Sequence, residues 1–139
     1  MCLCTRRLAM GMVAALVASG SRARAAPAPE HELFVAGAFR LKDAAERAGD
    51  QGYGALIVWN GQIAGYGPSR VRERGETAGH AEQVAIRDAQ QRLARDDLAG
   101  CVMYSTSRPC GACESAAAQA KIVRMYYGTD ATDAGAPRP

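Results

Sequence analysis

Apolar residues recur along this chain with two different spacings, which mark helices and strands in turn. Across residues 30–48, Phe34, Ala38, Leu41, Ala45 and Ala48 fall three or four apart and share one face of a helix. Gly49-Asp-Gln-Gly52 breaks it. Residues 53–59 and 62–66 are short apolar runs joined by Asn60-Gly61, a pair suited to a two-residue hairpin turn. Helical spacing returns over residues 79–95, with Val84, Ile86, Ala89 and Leu93 among its apolar positions. Residues 101–105 predict another strand. Ser107 is placed to cap a following helix that runs to about Ala120, with Pro109 at its start. Residues 122–127 predict a further strand, and no internal repeat is present.

His31 lies at the beginning of the first helix, where a solvated role is the simplest reading. Trp59, at the end of the hairpin, reads as a packing residue and not as a base-stacking platform. Glu114, in the first turn of its helix, complements the helix dipole.

The first 26 residues are of another kind. Arg6-Arg7 precede an apolar run over residues 8–17, and Ser-Gly-Ser-Arg-Ala-Arg-Ala follows. That is the layout of a secretory signal, with cleavage expected after Ala25 or Ala26, and the run is too short to span a membrane. Thr5-Arg6-Arg7-Leu8-Ala9-Met10 also resembles a twin-arginine signal. Residues 1–26 are therefore read as a signal peptide and 27–139 as one domain, exported and periplasmic. An unprocessed extension would leave the chain cytoplasmic.

Removing the signal changes the charge. The whole chain is +3, but four of its 17 basic residues (Arg6, Arg7, Arg22, Arg24) lie in the presequence and no acid does. The remainder has 13 bases against 14 acids, net −1. General affinity for nucleic acid calls for the opposite balance. Cys2 and Cys4 leave with the presequence, so Cys101, Cys110 and Cys113 remain, with no disulfide framework. Cys101 reads as a buried strand residue.

The chemistry concentrates in His80-Ala-Glu82 and Pro109-Cys-Gly-Ala-Cys113. One imidazole and two thiols make three zinc ligands, and cysteines at i and i+3 can face one ion from a first helical turn. A structural site normally closes with four protein ligands, whereas three leave a position for water or hydroxide. Glu82 is not needed to hold the metal, and it stands where a proton shuttle beside that water is useful. Together these residues read as a zinc-dependent hydrolytic deaminase. Two blander readings are a helix-capping His80 with two buried cysteines, and a thioredoxin-like pair. The second would leave His80 and Glu82 without a role.

Over residues 52 to about 128 the chain resembles the cytidine and deoxycytidylate deaminase superfamily, nearest the branch of tRNA adenosine deaminases and guanine deaminases. Tyr53-Gly-Ala-Leu-Ile-Val58, His80-Ala-Glu-Gln-Val-Ala-Ile-Arg87 and Tyr104-Ser-Thr-Ser-Arg-Pro-Cys-Gly-Ala-Cys113 carry the likeness. The resemblance implies a three-layer α-β-α fold with a mixed central sheet, of α/β class and short at the C-terminus, in homodimers. It implies His80, Cys110 and Cys113 as ligands of one Zn2+ per chain, and Glu82 as acid and base. It also implies material beyond Gly128 that closes the pocket. Residues 129–139 show no such pattern, which predicts closure by a neighbouring subunit, a more open site, or an incomplete sequence. Ser69 stands where related enzymes often carry a base-reading asparagine, so Ser69 and Arg70 are the expected substrate contacts. Arg70, Arg72 and Arg74 either hold a phosphate or form a solvated loop. Gly79 extends the approach to His80 and predicts a looser loop.

The substrate expected is a small base, nucleoside or related aminated heterocycle. Two alternatives differ in class: a tRNA adenosine deaminase, and a non-catalytic zinc-stabilised interaction module.

Overall fold

The computed structural model describes residues 28–139. The signal-peptide reading of residues 1–26 lies outside the described residues.

Helix α1 (Pro29–Arg47) leads into a hairpin of β1 (Gly54–Trp59) and β2 (Gln62–Pro68). The short helix α2 (Val71–Arg74) precedes α3 (Ala81–Leu93). Strand β3 (Val102–Ser105), helix α4 (Gly111–Gln119) and strands β4 (Arg124–Tyr127) and β5 (Thr132–Gly135) complete the order. The hairpin turns where expected: Asn60 and Gly61 both have positive φ, 49° and 72°, as a primed two-residue turn requires.

The strands form one mixed sheet in the order β2-β1-β3-β4-β5. Only β3 and β4 run parallel, joined by α4, and the other neighbours are antiparallel. Alternation along β1 makes the three layers. Leu56 and Val58 turn toward α1, packing with Phe34, Ala38 and Tyr104. Ala55 and Ile57 turn to the opposite face, packing with Ala81, Ala85, Ile86 and Ala89 of α3 and Ala117 of α4. The small residues matter on that face. At Gly67 a Cβ would collide with the backbone of Ala81 and Ala85, so α3 lies directly upon β2.

Two expectations are corrected here. Strand β5 pairs with β4 inside the stretch that showed no strand pattern, with Tyr127 opposite Thr132. And α4 starts later than predicted: Cys110, not Ser107, is its N-cap residue, with Pro109 just ahead of it. Ser107 is engaged elsewhere, its carbonyl accepting the Ser105 hydroxyl at 2.7 Å.

His31 is half-buried, not solvated. Its Nδ1 lies 2.9 Å from the Tyr104 hydroxyl and its ring 4.6 Å from that of Tyr126. Among the described residues no helix is long and apolar enough to cross a membrane.

Candidate metal and catalytic site

Two helix starts converge at the carboxyl end of β3, the edge where open α/β sheets bind their ligands. His80 is the N-cap residue of α3 and Cys110 that of α4. Each contributes its carbonyl to the helix that follows, to the amides of Val84 (2.9 Å) and Glu114 (2.8 Å). The side chains are left to face each other. Cys113, one turn into α4, completes the set. His80 Nδ1 stands 3.3 Å from Cys113 Sγ and 3.5 Å from Cys110 Sγ. The three ligand atoms all lie within 4.8 Å of one another.

The donor chemistry fits zinc: two sulfurs and one imidazole nitrogen are its usual structural and catalytic ligands. Both helix dipoles present their positive ends here, which favours thiolate. Cys113 is buried, and burial pushes its thiol well above the ordinary range, with the neighbouring Glu82 charge adding to that. A cation is what would release that proton.

Glu82 is also buried, 7% exposed, with Oε2 3.6 Å from Cys113 Sγ. Burial pushes its carboxyl up, against hydrogen bonds from its own amide and the Cys113 thiol and the effect of His80. A cavity of about 270 Å³ is shared by His80, Glu82 and Cys110 with Gln51, Tyr53, Glu76 and Arg108 around them. The side chains of Gln51, Glu76 and Arg108 make no hydrogen bond among the described residues, so their polar ends can meet a ligand. Of these, Arg108 adjoins the cysteine motif and was within reach of sequence reasoning, whereas nothing local marks Glu76.

The structure does not bring Ser69 and Arg70 to this cavity. They line a second one with Asp50, Pro68 and Arg72. Ser69 is buried and donates its hydroxyl to Asp50 Oδ1 at 2.9 Å, while Arg70 pairs with Glu73 at 3.1 Å on the surface. A buried hydroxyl committed to the Asp50 carboxylate has lost its freedom to read a base.

Asp50, which sequence reading took only as part of a helix break, organises the approach to the metal site. Its carboxylate also accepts the amides of Gln51 (2.7 Å), Val71 (3.1 Å) and Arg72 (3.0 Å). The Arg70 amide then donates to the Gly79 carbonyl at 2.8 Å, and a Cβ on Gly79 would collide with the backbone of Val71 and Arg70. Gly79 thus tightens the segment leading into His80, contrary to the looser loop expected.

A family model described as the cytidine and deoxycytidylate deaminase zinc-binding region matches residues 28–129. The chain belongs to this family. Among curated deaminases it is 36% identical to the tRNA-specific adenosine deaminase of Agrobacterium fabrum over 83 residues, 60% of this chain and 55% of that one. It is 34% identical to the guanine deaminase of Bacillus subtilis over 105 residues, 75% of this chain and 67% of that one. The X-ray structure of guanine deaminase from Bacillus subtilis superposes with a TM-score of 0.67 at 33% identity, covering 70% of this chain and 63% of the other. The three-layer deaminase fold expected from the sequence is borne out. Against the Agrobacterium relative, the chain spans little more than half the length.

Proposed function

We propose that this chain is a zinc-dependent hydrolytic deaminase of a free base, nucleoside or related small aminated heterocycle. The observation that carries the reading is the placement of Glu82 beside a three-ligand set. His80, Cys110 and Cys113 converge on one point, and the Glu82 carboxyl opens onto the same cavity as two of them. One zinc per chain would be held by these three side chains, with the fourth position left to water or hydroxide. When bound, zinc supplies the Lewis acidity that makes water nucleophilic near neutral pH.

The remaining work falls to the chain itself. Glu82 takes a proton from the attacking water at its carboxylate and returns it to a ring nitrogen; it then takes the proton of the new carbon-bound hydroxyl and passes it to the amine, which leaves as ammonia as the carbonyl forms. Its buried carboxyl binds a proton more readily than an exposed one, which suits a group that must both accept and donate. Gln51, Glu76 and Arg108 offer unengaged donors and acceptors to orient a heterocycle. The cavity volume lies just under the range of roughly 300–1,000 Å³ typical of drug-sized ligand sites. A base or nucleoside matches it better than a larger ligand.

A second reading, tRNA adenosine deaminase, is favoured by the likeness to the Agrobacterium enzyme. It is opposed by the −1 charge of residues 27–139. The zinc-loaded chain should be assayed for ammonia release from bases, nucleosides and nucleotides, and for inosine formation in an anticodon stem-loop RNA. Turnover of a small substrate alone supports the first reading, inosine in the RNA alone the second. Silence in both with zinc bound would leave a non-catalytic zinc module.

Two further parts of the proposal concern context. The chain is read as exported to the periplasm by residues 1–26 through the twin-arginine route, for which Arg6-Arg7 and the apolar run after them are the support. Replacing both arginines by lysine and following the protein by cell fractionation tests that. It is also read as a homodimer, on the family resemblance, and analytical ultracentrifugation reports the mass directly.

A further inference from the structure

The arginines of the loop before α3 do not act together. Arg72 lines the cavity beside Asp50. Arg70, the N-cap residue of α2, borders that cavity too, and with Arg74 of α2 and Arg87 of α3 it also lines a different and smaller one. That cavity measures about 90 Å³, a third of the one beside Glu82, and is too small for the ring that the larger one would take.

Three guanidinium groups facing one small space are a local excess of positive charge, and the acids nearby do not cancel it. Glu73 is one carboxylate shared between two of the guanidinium groups, paired with Arg70 at 3.1 Å and more loosely with Arg74 at 3.9 Å. Asp88 lines the cavity, but its Oδ2 is taken by the Tyr66 amide at 2.8 Å and by Arg92 at 2.7 Å. The Arg74 guanidinium makes no hydrogen bond among the described residues, its one ion pair being the long contact with Glu73. Arg87 donates to the Ala78 carbonyl and to Gln83 Oε1 (3.4 Å), which leaves three of its five N–H groups unengaged. Arg74 and Arg87 also feel each other: burial first, then the Arg74 charge, holds Arg87 below the ordinary arginine range. Two like charges around an opening, with donors to spare and acids already shared with other cations, leave room for an anion. The excess is local, since residues 27–139 carry −1 overall.

We propose that Arg70, Arg74 and Arg87 form a binding site for a tetrahedral oxyanion, a phosphate group borne by a small molecule or free in solution. Guanidinium suits this role because its planar fork bonds two phosphate oxygens at once. The site is separate from the metal cavity and stands or falls without the deaminase reading. It is tied to the metal segment through Arg87, which holds the carbonyl of Ala78 two residues before His80.

Calorimetric titration of the zinc-loaded chain with inorganic phosphate, at ionic strength fixed by sodium chloride, tests the site. Saturable binding of one phosphate per chain is expected. Arg74→Gln and Arg87→Gln should each weaken it by about tenfold, the loss expected from removing one charged hydrogen-bonding partner. Arg72→Gln, on the other cavity, should leave it unchanged. Arg74→Gln removes no hydrogen bond within the described residues, so it carries the test even where loss of the Ala78 anchor unfolds Arg87→Gln. A nucleoside monophosphate that binds more tightly than phosphate, with the same arginine dependence, identifies a phosphorylated metabolite as the ligand. Equal affinity identifies the free ion. Absence of saturable binding, binding indifferent to Arg74→Gln, or binding confined to an RNA oligonucleotide would overturn the proposal.

Discussion

Asp50 holds the hydroxyl of Ser69 at 2.9 Å and, with the same carboxylate, fixes the backbone of the turn that follows. The pair joins the end of α1 to the segment that delivers His80. Ser69 is therefore part of the scaffold behind the site, and Ser69→Ala should lower thermal stability while leaving KM for the substrate within about twofold, since an uninvolved side chain contributes nothing to transition-state binding. Steady-state kinetics and a melting curve on one preparation separate the two effects.

The same carboxylate gives the fold an acid-sensitive point. Burial raises the Asp50 carboxyl, but the amides of Arg72, Gln51 and Val71 and the Ser69 hydroxyl outweigh it and hold the group below the ordinary value of 3.8. A carboxyl depressed in the folded state stabilises fully above its unfolded value, and the contribution is lost as pH falls through the folded value. Unfolding midpoints measured from neutral pH down to the acid limit should fall along this limb, and Asp50→Asn should flatten it. An unchanged acid limb in the variant would remove Asp50 from the account.

Much of this was legible in the sequence, for local reasons. Asn60-Gly61 announces its turn through two adjacent residues, and the metal set announces itself through a fixed spacing on two helix starts. What was missed is non-local. Asp50 meets Ser69, Val71 and Arg72 about 20 residues away, so Gly-Asp-Gln-Gly reads only as a break. Strand β5, Thr132–Gly135, has no apolar alternation. It is an edge strand held by its ladder to β4 and by the Arg124–Asp133 ion pair at 2.7 Å. The helix α4 begins at Cys110 because that residue's backbone is extended, with ψ of 167°, a condition that no capping preference for serine reveals.

Gly79 should tolerate no side chain. Gly79→Ala drives a Cβ into the backbone of Val71 and Arg70, and overpacking of this kind costs about 1–3 kcal/mol. Urea unfolding measures that loss. Zinc affinity should fall as well, because the displaced segment leads directly into His80.

Tyr104 should titrate late. Burial, then the neighbouring Tyr126 and Glu30, raise its phenol to about 12. A raised phenol contributes stability that is complete below the unfolded value and lost as pH rises through the folded one, so this contribution disappears only near the alkaline limit. Ultraviolet difference titration should show one late phenol that Tyr104→Phe removes. The same variant breaks the 2.9 Å contact with His31 and should cost about 1 kcal/mol.

The central claim is that Glu82 moves protons and does not hold the metal. Metal content and ammonia release should be measured together on the chain and on Glu82→Ala, with the best small substrate. The account predicts one zinc per chain in both proteins and a loss of about 10²–10⁴-fold in turnover in the variant. A variant that loses its zinc along with its activity, or that keeps both, would contradict it.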